Sequence, residues 1–214
     1  MSSFLDIDYF SKRFPEVITE FGLKGMESHI NMAPLPKRLI ESPTDLTRKA
    51  GVLILVYKEH GQLKFPLIKR VSRNSRDPHS GQISLPGGRY EEEDVSLLNT
   101  ALRETFEEIG VNIKADQVIG RLSDLYIPVS DNLVSPFVAI TEDLDKFKLD
   151  PNEVEDIFSV DLQNLVQDET RQRRRLNTSY ATDFEVPGFN FQPYWIWGAT
   201  AMILEEFSEL LKKI

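Results

Sequence analysis

"GGRYEEEDVSLLNTALRETFEEIGV", Gly87 to Val111, decides the fold. Its second half has the pattern of a helix. Leu98, Ala101, Leu102, Thr105 and Ile109 recur at the three- and four-residue spacing of one helix face. Asp94 or Ser96 can cap the start, and Gly110 stands where a helix end often turns left-handed. The helix is predicted from about Ser96 to Ile109. On its surface Glu104 neighbours both Glu107 and Glu108. Each like-charge pair costs an isolated helix roughly 0.2–0.5 kcal/mol, and acids near the C-terminal end oppose the helix dipole. Arg103 can pair with Glu107 one turn on, which relieves part of that cost. For the rest two readings stand: a solvated acidic face, or a cradle for a hard divalent cation. Mg²⁺ takes carboxylate oxygens and bridges to substrate phosphate.

Outward from this stretch the chain alternates strands and helices. "GVLILVY" (51–57) reads as a buried strand, and "LKFPLIKRV" (63–71) as its hairpin partner across the His60-Gly61 turn. "ISLP" (83–86) is a brief strand before Gly87-Gly88. Further strands are expected at 118–125, 133–140 and 157–161. The polar stretch 163–185 is expected to hold one short helix and a loop, and "WIWGATAMILEEFSELLKK" a second long helix. Such a mixture predicts an α/β or α+β sandwich. Residues 49–214 are expected to form one domain that includes the C-terminal helix. Residues 1–48 are expected to be a helical and extended segment packed on it. Phe4, Ile7, Phe10 and then Phe14, Val17, Ile18, Phe21 give that segment two helical patterns. Its phenylalanines bury either against the core or against a second subunit of a homodimer, and the sequence does not choose.

Composition narrows the function. With 34 acidic and 25 basic residues the net charge is −9, which disfavours a general nucleic-acid-binding surface. No run of ~18 apolar residues offers a membrane span, and MSSFLDIDYFSKRF lacks the pattern of a secretory signal. The absence of cysteine excludes disulfides and thiolate metal sites and is compatible with the expected cytoplasmic location. Composition thus disfavours nucleic acid and membrane as partners, while an acidic protein can still bind a phosphorylated small molecule if metal ions and local basic residues offset the repulsion.

The run from Gly88 to Val111 resembles the Nudix box, G-x5-E-x7-R-E-U-x-E-E-x-G-U with U aliphatic. "RETFEEIGV" (103–111) fits at every position except Thr105. Fifteen positions separate Gly88 from Arg103 instead of fourteen, and the early acid is Asp94 rather than Glu. In this the chain is similar to the subgroup that hydrolyses coenzyme A, whose boxes read F-P-G-G-K…D…T-A-L-R-E…E-E-x-G. The matching residues are Leu85-Pro86-Gly87-Gly88-Arg89, Asp94 and Thr100-Ala101-Leu102-Arg103-Glu104. Upstream, Arg70 and then Gly81 extend the match. Leu85 departs from the usual Phe, and the loop between Arg70 and Gly81 is longer than usual.

The resemblance implies a Nudix-type α/β/α sandwich with a mixed β-sheet. It implies Mg²⁺-dependent hydrolysis of a nucleoside diphosphate derivative, with Mn²⁺ as a substitute. In the coenzyme A subgroup the products are 3′,5′-ADP and 4′-phosphopantetheine or its acyl form. By the same resemblance Glu104 and Glu108 are the metal ligands, with Glu107 completing the cluster and Arg103 orienting a glutamate. A further carboxylate from outside the box is expected at Glu153 or Glu155, with Glu155 preferred. Arg70, Gly87, Gly88 and His79 are the expected substrate-side residues, with Arg73 and Arg76 on the same loop. Arg171, Arg173, Arg174 and Arg175 are either a lure for an anionic substrate or a solvated helix face. Trp195 and Trp197 are expected to pack the last helix onto the core. ADP-ribose, NADH or a nucleotide is the alternative substrate, and a non-catalytic sensor of a nucleotide metabolite is the alternative function. The intact glutamate set argues against the sensor.

Overall fold

The computed structural model describes residues 6–72, 81–142, 144, 146–177 and 182–214. Phe4, Arg73, Arg76 and His79 lie outside the described residues. The chain opens with α1 (Ile7–Phe21) and the single turn α2 (Met26–His29). The two helical patterns of the N-terminus merge into α1, which runs through Pro15. Phe10, Phe14 and Val17 keep one stripe at helical spacing and are fully buried. Phe14 meets Phe207 edge-on at 5.6 Å, so this stripe packs within the chain.

β1 (Arg48–Glu59) and β2 (Gln62–Arg70) form the expected hairpin, with Glu59 opposite Gln62. β3 (Ile83–Ser84) pairs with β2, and β4 (Gly87–Arg89) with β1. α3 (Leu97–Ile109) follows, within a residue of the predicted helix. β5 (Val118–Arg121) and β6 (Leu125–Ile127) then pair antiparallel with β7 (Asn132–Thr141). β7 runs parallel to β1, from Arg48 opposite Asn132 to Tyr57 opposite Thr141. β8 (Val154–Asp161) joins the far side of β2, antiparallel. The result is one mixed sheet.

Strand alternation sorts the core into two layers, because successive side chains leave opposite faces. Leu53 and Leu55 of β1 pack with Ile68, Phe137 and Ala139 beneath Ala101 and Ile109 of α3. Ile54 and Val56 face the other way, with Phe65, Leu67 and Val138, towards α1 and the C-terminal helix. Gly51 sets how closely α3 lies on the sheet. A Cβ there would fall 2.2 Å from the Leu97 carbonyl oxygen, so the helix starts in contact with the strand backbone.

The region after β8 departs from expectation. α4 (Leu162–Leu165) is the short helix, but β9 (Arg171–Leu176) is a strand where a helix face or loop was expected. It pairs with β10 (Phe184–Phe191), which pairs with β11 (Tyr194–Trp197). The last helix, α5 (Gly198–Leu211), therefore begins after both tryptophans. Arg171 opens β9, partly buried. Its guanidinium donates to Glu205 Oε2 at 3.0 Å and Ser208 Oγ at 2.7 Å on α5. A charged residue in a partly buried place breaks the apolar alternation by which a strand is read. Trp195 is on β11, under the Arg174 guanidinium at 4.6 Å. Arg173 and Arg175 pair with Glu185 and Asp183. Each arginine of this cluster thus has its own partner in the chain.

α5 carries a second buried carboxylate. Glu206 accepts from Gly25 N–H at 2.6 Å, Ser123 N–H at 3.0 Å and Ser123 Oγ at 2.7 Å. His29 Nε2 stands 3.5 Å away. Burial alone would raise this carboxyl, but His29 and the three hydrogen bonds outweigh it and hold it below the usual range.

Candidate active site

The site is built on α3 and the two elements that grip its ends. Ser96 Oγ accepts from Asn99 N–H at 3.1 Å at the start. Gly110 turns left-handed at the end, at φ 72°. There Lys148 N–H donates to the Ile109 carbonyl at 2.8 Å and Asp150 N–H to the Glu108 carbonyl at 3.1 Å. Helix-end carbonyls lack partners of their own, so this backbone segment fixes itself to them. Three residues on, the Glu153 carbonyl accepts from Val71 N–H at 2.9 Å. The segment that leads from β7 into β8 is thereby pinned beside the helix.

Glu108 is the deepest group, with its side chain 1% exposed. Its Oε2 accepts from Gly87 N–H at 2.8 Å and its Oε1 from Arg70 Nη1 at 3.1 Å. Burial pushes its carboxyl up to about 8, against the pull of Gly87 and Arg70; the charges of Glu104 and Glu153 push it further. Glu104 is raised for the same first reason, burial. Arg103 opposes the rise, and Glu107 and Glu153 add to it. Gly88 makes room for Glu104: a Cβ on Gly88 would lie 2.3–2.4 Å from the Glu104 carboxyl group. Gly87, at φ 141°, turns its N–H onto Glu108 in a backbone conformation that glycine supplies.

Arg103 is the hub of the outer side. Its Nε and Nη2 grip Asp94 at 2.7 and 2.9 Å. Its Nη1 reaches Glu104 at 3.1 Å and Glu107 at 2.9 Å, and Nη2 also donates to the Arg89 carbonyl at 3.1 Å. Asp94 is buried and accepts from Thr100 Oγ1 at 2.8 Å and Glu91 N–H at 3.0 Å as well. The Arg103 hydrogen bonds hold its carboxyl well below the usual range, in spite of burial. Asp94 acts through Arg103, as the anchor of the arm that holds Glu104 and Glu107.

The extra residue of the box also has a place. Eight residues separate Asp94 from Arg103. The first of them, Val95, sits at φ 64°, 82% exposed, at the turn between Asp94 and α3. A β-branched residue is out of place there. The insertion is absorbed in this turn, and the Asp94–Arg103 clamp survives it.

The sequence-predicted residues divide accordingly. Arg70, Gly87, Gly88, Arg103, Glu104, Glu107 and Glu108 come together. Glu155 does not join them. Its carboxylate pairs with Lys69 Nζ at 2.5 Å. The register between β2 and β8 shifts there: Asp156 faces Lys69, Val154 faces Arg70, and Glu155 is left between them. A bulged residue is turned out of the ladder. Glu153 is the acid whose charge reaches Glu104 and Glu108. Nothing in NEVEDIF marks the bulge, so the two glutamates cannot be told apart by pattern.

In chemistry the residues suit a hard divalent cation: carboxylate oxygens from Glu104, Glu107 and Glu108, with two guanidinium groups among them. Among the described residues no three acids are already arranged to hold a metal ion. Arg103 holds Glu104 and Glu107 to one side, and Arg70 holds Glu108.

Residues 47–179 match the NUDIX domain. The chain is 32% identical over 183 residues to the mitochondrial coenzyme A diphosphatase NUDT8 of Homo sapiens, across 82% of this chain and 76% of the human protein. It is 36% identical over 165 residues to Nudix hydrolase 15, mitochondrial, of Arabidopsis thaliana, across 73% of this chain and 56% of that protein. A MutT/nudix family protein from Enterococcus faecalis shares the fold, with a TM-score of 0.55 at 16% identity over 82% of this chain and 66% of that one. The chain belongs to the Nudix family, and it is a hydrolase. Nudix hydrolases generally use divalent cations and bind nucleotide derivatives. Among the described residues no helix is long and apolar enough to cross a membrane. Both relatives are named as mitochondrial proteins, so they lend no support to the cytoplasmic expectation.

Proposed function

We propose that the chain is a Mg²⁺-dependent diphosphatase of coenzyme A or its acyl esters, releasing 3′,5′-ADP and 4′-phosphopantetheine or its acyl form. The carrying observation is the carboxylate group around Gly87-Gly88: Glu108 buried and held by Gly87 N–H, and Glu104 half-buried over Gly88. The box expansion at Val95 and the name of the human relative support the coenzyme A reading over ADP-ribose, NADH or a nucleotide. The family match covers residues 47–179, in support of a hydrolase domain that starts near residue 49. The shared core of α5, the sheet and α1 supports extending it to 214 with residues 1–48 packed on it.

Glu104, Glu108 and Glu153 would hold the cation, with Glu107 beside them. Bound there, Mg²⁺ (or Mn²⁺) would neutralise diphosphate charge and acidify the attacking water. The protein's own share is placement. Asp94 holds Arg103, and Arg103 holds Glu104 and Glu107. Gly87 N–H orients Glu108, and the bare Gly88 backbone leaves the space that Glu104 fills. Burial raises the Glu108 carboxyl, and a bound cation would favour its charged form. Arg70 stands on the substrate side of Glu108 in this reading, with Glu153 rather than Glu155 as the carboxylate from outside the box.

The test compares Glu108→Gln, Glu153→Gln and Glu155→Gln with the parent in Mg²⁺-dependent turnover of coenzyme A. Loss of a buried ligand is expected to lower kcat by about 10²-fold or more in the first two, and Glu155→Gln is expected to stay within a few-fold. Equal loss in Glu153→Gln and Glu155→Gln would remove the basis for choosing between them.

A further inference from the structure

The two arginines of the site are held differently. Arg103 has Nε, Nη1 and Nη2 all engaged. Arg70 makes one side-chain hydrogen bond among the described residues, from Nη1 to Glu108 Oε1 at 3.1 Å. Its side chain is 31% exposed, against 1% for Glu108. Its backbone is fixed, with N–H on the Gln82 carbonyl at 3.1 Å and Val154 opposite. Arg70 is thus a tethered cation that stays partly exposed beside a buried carboxylate. Glu108 is the reverse: Oε2 is held by Gly87 N–H, and Arg70 occupies Oε1.

We propose that Arg70 is an exchangeable counter-ion. It holds Glu108 Oε1 while no divalent cation is bound, and it passes to an anionic oxygen of the substrate diphosphate when Glu108 takes up the cation. This rests on the reading of Glu108 as a metal ligand. A guanidinium and a divalent cation on one buried carboxylate oxygen repel each other, the more so because burial lowers the local dielectric. A guanidinium released from Glu108 keeps its planar fork, which fits phosphate oxygens two at a time. Arg70 therefore opposes the cation until an anion is present to take it, and by linkage cation and substrate each favour the binding of the other.

The experiment measures Mn²⁺ affinity by titration calorimetry on the full chain, without nucleotide. Arg70→Gln is expected to bind Mn²⁺ about 10-fold more tightly than the parent, within the usual range of coupling between sites. Its KM for the turned-over substrate is expected to rise. Arg70→Met keeps the aliphatic stem and carries the same expectation if the glutamine variant does not fold. In a Glu108→Gln background the Arg70 substitution should leave Mn²⁺ affinity unchanged. Unchanged or weaker Mn²⁺ binding in the single Arg70 variants, with Glu108→Gln weakening it, would overturn the exchange and leave the metal site standing. Equal Mn²⁺ binding by the parent and Glu108→Gln would remove the ligand assignment, and the exchange with it.

Discussion

Asp94→Ala removes the anchor of the catalytic clamp. Four donors lose a bond: Arg103 Nε and Nη2, Thr100 Oγ1 and Glu91 N–H. Nη2 keeps the Arg89 carbonyl and Thr100 Oγ1 the Ser96 carbonyl. Thr100 is fully buried. Breaking a buried ion pair from one side typically costs 3–5 kcal/mol. Arg103 is 27% exposed and keeps Glu104 and Glu107, so the low end applies, about 3 kcal/mol. For a chain of this size each kcal/mol moves Tm by roughly 2–4 °C, so a fall of roughly 6–12 °C is expected by calorimetry. The pH dependence has a definite sign. The folded Asp94 carboxyl lies below its unfolded value of about 3.9. Its contribution is fully present above that value and is lost as pH falls below it. The parent and Asp94→Ala should therefore differ by a constant amount from neutral pH down to about 5 and converge below about 4. A Tm within 1 °C of the parent at pH 7, or a gap that widens in acid, would refute the clamp reasoning.

Three further outcomes follow from the same geometry. Gly88→Ala puts a methyl where the Glu104 carboxyl lies, 2.3–2.4 Å from its Cβ, and should lower kcat by about 10²-fold with little change in Tm; full activity would mean that Glu104 need not sit there. Val95→Gly removes a β-branched residue from φ 64° and should stabilise by about 1 kcal/mol in urea unfolding, whereas a loss of stability would contradict the strain. Glu206→Ala leaves Gly25 N–H, Ser123 N–H and Ser123 Oγ without their acceptor and should destabilise by about 3 kcal/mol. The Glu206 carboxyl is held below its usual range, so that gap should also shrink as pH falls below about 4.

What the chain shows on its face is what periodicity and charge can carry. α3, β1, β2 and β7 follow from apolar spacing, and Ser96 and Gly110 mark the helix ends. The three glutamates and Arg103 were legible because helical spacing fixes which side chains meet. The rest depends on contacts between distant segments. β9 was hidden because arginines, not apolar residues, take partly buried places in it: Arg171 is satisfied by Glu205 and Arg174 lies over Trp195. The bulge that leaves Glu155 out of the ladder, paired with Lys69, is a register event between two strands. Arg70 could be named from its place before the glycine loop, but its hold on Glu108 appears only when β2 is laid beside α3. Asp94 aligned with the motif, yet its work is done through Arg103, nine positions away.

The most direct test of the central claim is to incubate the protein with Mg²⁺ and, in parallel, coenzyme A, an acyl-coenzyme A, ADP-ribose, NADH and nucleoside triphosphates, and to identify products by mass. The account predicts 3′,5′-ADP with 4′-phosphopantetheine or its acyl form, formed only when the divalent cation is present. Strong turnover of ADP-ribose with none of either coenzyme A species would contradict it.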